Sequence, residues 1–597
     1  MSTPTFHFTV DCREPGTHVY HMTFHIENLP AGRHTLTLPV WTPGAYEVQD
    51  FARHLFNLRA ETPAGTLEAS HVKKNAWQFD TYDVGSVTVR YDVWAFELGV
   101  DTSHLDQTHA YFNGAQLFFL VDEYKDAPYT VTIEAPAGWH VSTGLERQSA
   151  YVYQASDYDV LIDSPAEIGT HRVLTFEVDM KPHELAIWGH GNEDAEKFLA
   201  DVKRIVETQR DIFGGLPYEH YTFILHLSDR GTGGLEHLNS TTCGTGRFAY
   251  KSRKKYRYVL QLFSHEFFHL WNVKRIHPDL LWPFDYTQEV YTHLLWAMEG
   301  FTDYFATLTL RTGGLFSPKE YLESLADSIK SYEKKPGRLV QSLAESSFDT
   351  WIKLYKPDAD SPNRTISYYL KGDLVGTCLD LEIRQRTQSQ YGLDEVLRRL
   401  YDRYGSKGIG FPESVYQETV EEVAGSSFQE FFDRYIEGTD PIPFEQFLGY
   451  AGLTVERTYK NPDPDGDDDK KDEPHADPVA WLGIDAAVKN GHVLTVTHSY
   501  SSGPAYDRLN PGDHLLAING FEVDSEEKLN TRIKQDFTIG DSVEVAFFRR
   551  QVLEHATVTL AAAPPDTVKV VPLDEASSAQ KDVYAKWLSA EWEAKSP

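Results

Sequence analysis

The chain has 597 residues, more than one hydrophobic core can organise, so its length predicts several domains. Apolar residues make up 41%, with 12 Trp, 33 Tyr and 33 Phe, enough to build large cores. The formal net charge of −33, from 89 acidic against 56 basic residues, argues against nucleic acid and anionic membranes as partners. Cys12, Cys243 and Cys378 are odd in number and far apart, which excludes a cysteine metal motif and a disulfide framework. Residues 1–9 lack the basic start and apolar core of a signal peptide, and no apolar run reaches transmembrane length. A cytoplasmic location is the expectation.

Residues 1–175 predict an N-terminal β-sandwich. Val19-Tyr20-His21-Met22-Thr23-Phe24-His25-Ile26 and Ser86-Val87-Thr88-Val89-Arg90-Tyr91-Asp92-Val93 alternate with period two between turns rich in Gly, Pro and Asp. Residues 176–300 predict an α/β catalytic domain. It has a helix over 193–213, with Phe198, Val202, Ile205 and Ile212 on one face, then the strand Tyr221-Thr222-Phe223-Ile224-Leu225-His226-Leu227. A glycine-rich turn and an apolar helix follow. Residues 301–450 predict a mainly helical extension of that domain. Residues 451–478 contain Asn461-Pro462-Asp463-Pro464-Asp465-Gly466-Asp467-Asp468-Asp469 and predict a solvated acidic linker. That run lacks the closing Glu of an EF-hand loop. Over 479–563, Trp481-Leu482-Gly483-Ile484, Gly503-Pro504-Ala505, Leu509-Asn510-Pro511-Gly512-Asp513 and Ile518-Asn519-Gly520 follow in an order that resembles a PDZ domain. The tail, 564–597, carries Tyr584, Trp587, Leu588 and Trp592 and predicts an amphipathic helix docking back on the body.

The chemistry centres on His265-Glu266-Phe267-Phe268-His269. One helical turn separates the histidines, so both imidazoles project from one face toward one point. Zinc accepts that geometry, and Glu266 is placed to act on a water at the metal. Positions 272 and 275 are Asn and Arg, which excludes a metzincin. A third ligand is expected in Leu295-Trp296-Ala297-Met298-Glu299-Gly300-Phe301-Thr302-Asp303-Tyr304-Phe305. Glu299 lies there among Trp, Met and Phe, where a carboxylate is costly unless paired or metal-bound. Glu289 and His293 are its rivals. Asp303, four residues on, is placed to accept the free ring N–H of a ligand histidine.

His265-Glu266-x-x-His269, with the later Trp296-x-x-Glu299-Gly300-x-Thr302-x-Tyr304, resembles the gluzincin zinc peptidases. More narrowly the chain resembles the glycyl aminopeptidase family, which joins a catalytic unit to a PDZ module. Trp41-Thr42-Pro43-Gly44-Ala45-Tyr46 with Asp50-Phe51-Ala52-Arg53-His54, Trp271-Asn272-Val273-Lys274-Arg275-Ile276, and Tyr368-Tyr369-Leu370-Lys371-Gly372 carry the same resemblance. It implies a thermolysin-like catalytic domain, one zinc per chain, and Tyr369 as donor to the oxyanion of the tetrahedral intermediate, with Tyr368 its neighbouring rival. Gly231-Thr232-Gly233-Gly234-Leu235-Glu236-His237 resembles the Gly-x-Met-Glu-Asn element of gluzincin aminopeptidases, with Leu and His in place of Met and Asn. Gly233 and Gly234 would let a substrate backbone approach, and Glu236 would hold its α-ammonium. Asn113 and Gln116 are further candidates for substrate contact.

The implied activity is removal of N-terminal residues, small ones such as Gly or Ala, from peptides with free N-termini. The rival readings are a zinc endopeptidase with the same site and a PDZ-mediated adaptor. Leu482, Gly483 and Ile484 would occupy the loop that binds a C-terminal peptide in PDZ domains, and Trp481 departs from the usual small residue there.

Overall fold

The computed structural model describes residues 3–83, 85–229, 231–459, 477–489, 491 and 493–594. The chain forms two compact units, each discontinuous in sequence. The first comprises Met1–Thr292, Phe305–Phe316 and Leu397–Val415, and the second His293–Tyr304, Ser317–Val396 and Tyr416–Pro597.

The first unit begins β-rich. In an eight-stranded sheet, Thr5–Asp11 runs antiparallel to Val19–Leu29 and parallel to Tyr129–Glu134. Alternate residues of these strands are buried, as their period-two pattern requires. Phe8 and Phe24 stack at 4.0 Å in the core, beside Phe118 and Tyr129. Two four-stranded sheets complete the region, so the expected sandwich is a three-sheet assembly around one core. One of them pairs β1 (His109–Phe112) with β2 (Ala166–Gly169).

A second sheet of the same unit contains β3 (Arg172–Val178), β4 (Lys181–Trp188), β5 (Tyr221–Ser228), β6 (Gly233–Glu236) and β7 (Ser240–Gly246), in the order β3-β4-β5-β7-β6. Its β4, β5 and β7 are parallel. The chain passes from β4 to β5 through α1 (Ala195–Phe213), capped by Asp194 and ended by Gly214 at φ 79°. Phe198, Val202, Ile205 and Val206 form the buried stripe of α1. The stretch expected as a glycine-rich turn is instead the edge strand β6, paired antiparallel with β7. Helix α2 (Arg253–Phe268) follows. Helix α3 (Phe301–Thr312) comes directly after a π-helical turn, Trp296–Gly300.

The second unit contains α4 (Tyr368–Arg386), which crosses that π-turn at two glycines. A Cβ on Gly300 would lie 2.4 Å from Gly372 Cα, and one on Gly372 would lie 2.7 Å from Trp296 O. Close backbone approach therefore requires the glycines of both the Glu299-Gly300 and Lys371-Gly372 pairs. Leu453–Thr458 pairs antiparallel with Thr567–Pro572. This moves two boundaries: 453–458 is strand rather than linker, and 567–572, placed in the C-terminal tail, is its partner strand. The acidic run 461–469 lies outside the described residues.

Between those two strands sits a sheet of Ile484–Lys489, Val493–Ser499, His514–Ile518, Ser542–Arg549 and Val552–Thr559, with a helix over Glu526–Asp536 and a core of its own. Asn363 holds this module to the helical region, donating to Ser499 O at 2.8 Å and accepting from Ser501 N at 2.9 Å. Lys334 pairs with Asp485 at 3.0 Å. The tail forms the expected helix, Ser578–Leu588, whose buried Trp587 donates to Tyr304 OH at 2.9 Å. No helix among the described residues is long and apolar enough to cross a membrane.

Candidate metal centre and substrate edge

His265 and His269 stand at the C-terminal end of α2, with His269 just past its last residue. Their Nε2 atoms lie 2.9 Å apart. His269 Nδ1 donates to Asn272 O at 2.8 Å, which fixes the tautomer and leaves Nε2 as a lone pair. Two converging imidazole nitrogens, one oriented through its far side by a carbonyl, fit a shared metal ion. The loop that supplies this carbonyl is strained: Val273, β-branched, sits at φ 133°. Asn272 therefore does for His269 what the sequence reading reserved for Asp303.

Glu299 is buried in the π-turn, a local geometry common at functional sites. The two histidines belong to the first unit and Glu299 to the second. Donor types, spacing and burial suit zinc.

Edge strand β6 runs against Glu266. A Cβ on Gly234 would lie 2.2 Å from Glu266 Oε1, so only glycine passes there, and Gly233 has φ +85°. Glu236 is buried, and one oxygen of its carboxylate lies within 4.8 Å of ligand atoms of both Glu266 and His269. The N-terminal region backs this carboxylate. A Cβ on Gly44, at φ +96°, would lie 2.7 and 2.8 Å from the two Glu236 oxygens. The Trp41–Tyr46 signature thus has a physical role that sequence alone did not disclose.

Asp163 is a second missed contributor. Its carboxylate bonds His237 Nδ1 at 3.0 Å, Leu238 N at 2.7 Å and Lys274 Nζ at 2.8 Å, tying the end of β6 to the loop after α2. Burial raises its pKa, but the Lys274 charge and the His237 bond outweigh that and hold it below the usual range. No local pattern marks Asp163, because its partners lie 74 or more residues away.

The two tyrosines of α4 differ in environment. Tyr368 is fully buried, its hydroxyl 3.0 Å from Thr350 Oγ1, while Tyr369 is half-buried and stacks on it at 4.7 Å. Burial, with Arg338 nearby, pushes Lys371 down to about 8. Burial and then the charge of Asp303 push Asp373 up to about 7. Asp303 is half-buried one turn beyond Glu299.

Asn113 and Gln116 are buried, Asn113 capping a short helix at Gly114–Leu117. In the C-terminal module, Leu482 O accepts from Ala505 N at 3.2 Å. Gly483 (φ +86°) packs on Gly503, and Ile484 opens its strand.

Comparison with family models matches residues 7–170 to the peptidase M61 N-terminal domain and residues 258–375 to the M61 glycyl aminopeptidase domain. Comparison with curated proteins gave no match. Among solved structures, an aminopeptidase N family protein from Idiomarina loihiensis is 29% identical, with TM-score 0.89, over 98% of this chain and 100% of that one. An M1 zinc metallopeptidase from Deinococcus radiodurans is 15% identical, with TM-score 0.46, over 74% of this chain and 94% of that one. Yeast LTA4 hydrolase is 13% identical, with TM-score 0.43, over 74% and 67%. The two family domains fall in order on the β-rich region and on the segment carrying the metal helix, and the chain is a zinc metallopeptidase similar over those segments to the M61 glycyl aminopeptidases.

Proposed function

We propose that this metallo-aminopeptidase removes small N-terminal residues, Gly or Ala, from peptides in the cytoplasm, with His265, His269 and Glu299 holding one catalytic zinc. When bound, zinc supplies a Lewis acid that polarises the scissile carbonyl and acidifies water. Glu266 takes the proton of the attacking water and delivers it to the leaving amine. Tyr369, the less buried of the two tyrosines, donates to the oxyanion as it forms. Asp303 orients His265, since Asn272 O already serves His269. Gly233 and Gly234 present β6 as an edge on which the substrate backbone lies.

Glu236 makes the enzyme an exopeptidase by binding the α-ammonium. The observation that carries this reading is its buried carboxylate within 4.8 Å of Glu266 and His269, close enough for a bound α-ammonium to lie beside the reacting carbonyl. The preference for small residues rests on the resemblance of residues 258–375 to the glycyl aminopeptidase domain. We read the C-terminal module as a PDZ domain. Among the described residues, Ile484–Lys489 pairs on one side only, so a peptide C-terminus would add to its other edge beside Leu482 and Gly483.

The test measures kcat/KM on Gly- and Ala-initiated peptides, free and N-acetylated. Glu236→Ala should lower kcat/KM on the free peptides by roughly ten- to a hundredfold, the loss of a bond to a charged group worth about 1.5–3 kcal/mol. Acetylated peptides should be poor substrates of the wild type. Equal internal cleavage of acetylated peptides would replace this reading with the endopeptidase.

A further inference from the structure

Among the described residues, edge strand β6 pairs on one side only, with β7, and it ends at Glu236. A strand held along one edge needs a second constraint to keep its end in place. The Asp163 carboxylate supplies one. Its Oδ1 accepts from His237 Nδ1 at 3.0 Å and from Lys274 Nζ at 2.8 Å, and its Oδ2 accepts from Leu238 N at 2.7 Å. His237 and Leu238 directly follow Glu236. Lys274 has its own tie to the metal side, because its backbone N donates to His269 O at 3.1 Å. Arg275, the next residue, donates from Nη1 to Leu270 O at 2.8 Å and to Leu238 O at 3.4 Å. A continuous path of hydrogen bonds thus runs from His269 through Lys274 and Asp163 to the residues beside Glu236, all within the first unit.

Asp163 is itself held firmly. It ends a short helix, Tyr158–Ile162, capped by the Asp157 side chain, which accepts from Val160 N at 2.8 Å. Leu161 and Ile162 are fully buried. A Cβ on Gly114 would lie 2.8 Å from Ile162 O, so the two backbones are pressed together without slack. On the other side, Val273 sits at φ 133°, a strained value that persists only where neighbours over-determine it, and the ion pair of Lys274 with Asp163 is such a neighbour. The position also calls for a carboxylate. Its three partners all donate, since a carboxylate only accepts. Asparagine has the same shape, but one of its ends is an NH2 group, and no flip of the amide satisfies all three donors.

We propose that Asp163, with Lys274, is a positioning residue for the aminopeptidase reaction. It sets how far Glu236 stands from His269, and so fixes where the cut falls relative to the substrate's α-ammonium. The proposal rests on the reading of Glu236 as the ammonium site. Asp163 touches no reacting atom and acts through Glu236.

The experiment is steady-state kinetics on a Gly-initiated peptide with zinc-loaded, full-length protein, with zinc content and thermal midpoint measured alongside. The variants are Asp163→Asn and Lys274→Met, each alone and combined with Glu236→Ala. A misplacement of about 1 Å costs on the order of a hundredfold, so Asp163→Asn should lower kcat by roughly ten- to a hundredfold with zinc retained. KM should move by no more than about threefold, because a displaced Glu236 still binds the ammonium. The Kd of the peptide for Glu266→Gln protein should likewise change by no more than about threefold when Asp163→Asn is added. In the Glu236→Ala background Asp163→Asn should cost no more than about twofold, because the residue it positions is gone. An equal loss in both backgrounds overturns the positioning role, as does a loss of zinc that accounts for the slower rate, or a wild-type kcat in Asp163→Asn. If Asp163→Asn does not fold, Lys274→Met, which leaves the bonds to His237 and Leu238 in place, carries the same comparison with a loss in kcat of about tenfold. A Glu236→Ala protein with wild-type kcat/KM sinks the ammonium reading itself, whereas a slow Glu236→Ala beside a normal Asp163→Asn sinks only this proposal.

Discussion

The His265–His269 pair and the His109–Glu167–His226 cluster use the same side chains and are assembled in different ways. The first is built on one helix end, with its ligands four residues apart and His265 half-buried. The second is built from β1, β2 and β5, with Glu167 58 and 59 residues from its two histidine partners, and it is closed to solvent. An open position lets water and substrate reach a metal, whereas a closed set can only hold elements together. On the proposed reading, the same donor types serve chemistry in one place and cohesion in the other, with His265 half-buried and the Glu167 cluster closed.

The comparison breaks most sharply at Glu266. Glu266→Gln should retain the catalytic metal and lower kcat by about 10²–10⁴, because an amide cannot accept the proton. Its thermal midpoint should stay near that of the wild type. A normal kcat would remove Glu266 as the base. Tyr369→Phe should lower kcat by about a hundredfold with metal content unchanged, while Tyr368→Phe should act mainly on stability. The reverse pattern would move the oxyanion donor by one residue.

For the closed cluster the expected readout is unfolding. Glu167→Gln removes the charge that three histidines surround and should destabilise by about 3–5 kcal/mol, measured by denaturant titration. A stability loss as small as that of a surface substitution would contradict the cohesive role.

Asp373 gives the smallest and most pH-specific effect. Its folded-state value of about 7 lies above the ordinary 3.8, so the folded protein binds more protons than the unfolded chain between those values. The stability it contributes is complete below the unfolded value and is lost as pH rises through about 7. Asp373→Asn should flatten that slope and raise stability at about pH 8 by on the order of a few kcal/mol. An unchanged slope would place the proton elsewhere.

Local pattern carried much of the reading. The spacing of His265 and His269, the stripe of α1, the strand β5 and the tail helix all follow from residues within a few positions of one another, where helix and strand periods act directly. The glycine-rich stretch was legible as a backbone approach point but not as a strand. Its pairing with β7 depends on sheet order.

By itself, then, the sequence determined the histidine pair four residues apart, the family motifs and most element types. Tertiary structure alone decided that Gly44 meets Glu236, that Thr350 meets the Tyr368 hydroxyl, that Asn272 O orients His269, and that three buried histidines gather around Glu167. The physical reason is separation along the chain. Contacts within one turn are set by backbone geometry, while contacts across tens of residues are set by strand register and by where sheets pack, which no local period records.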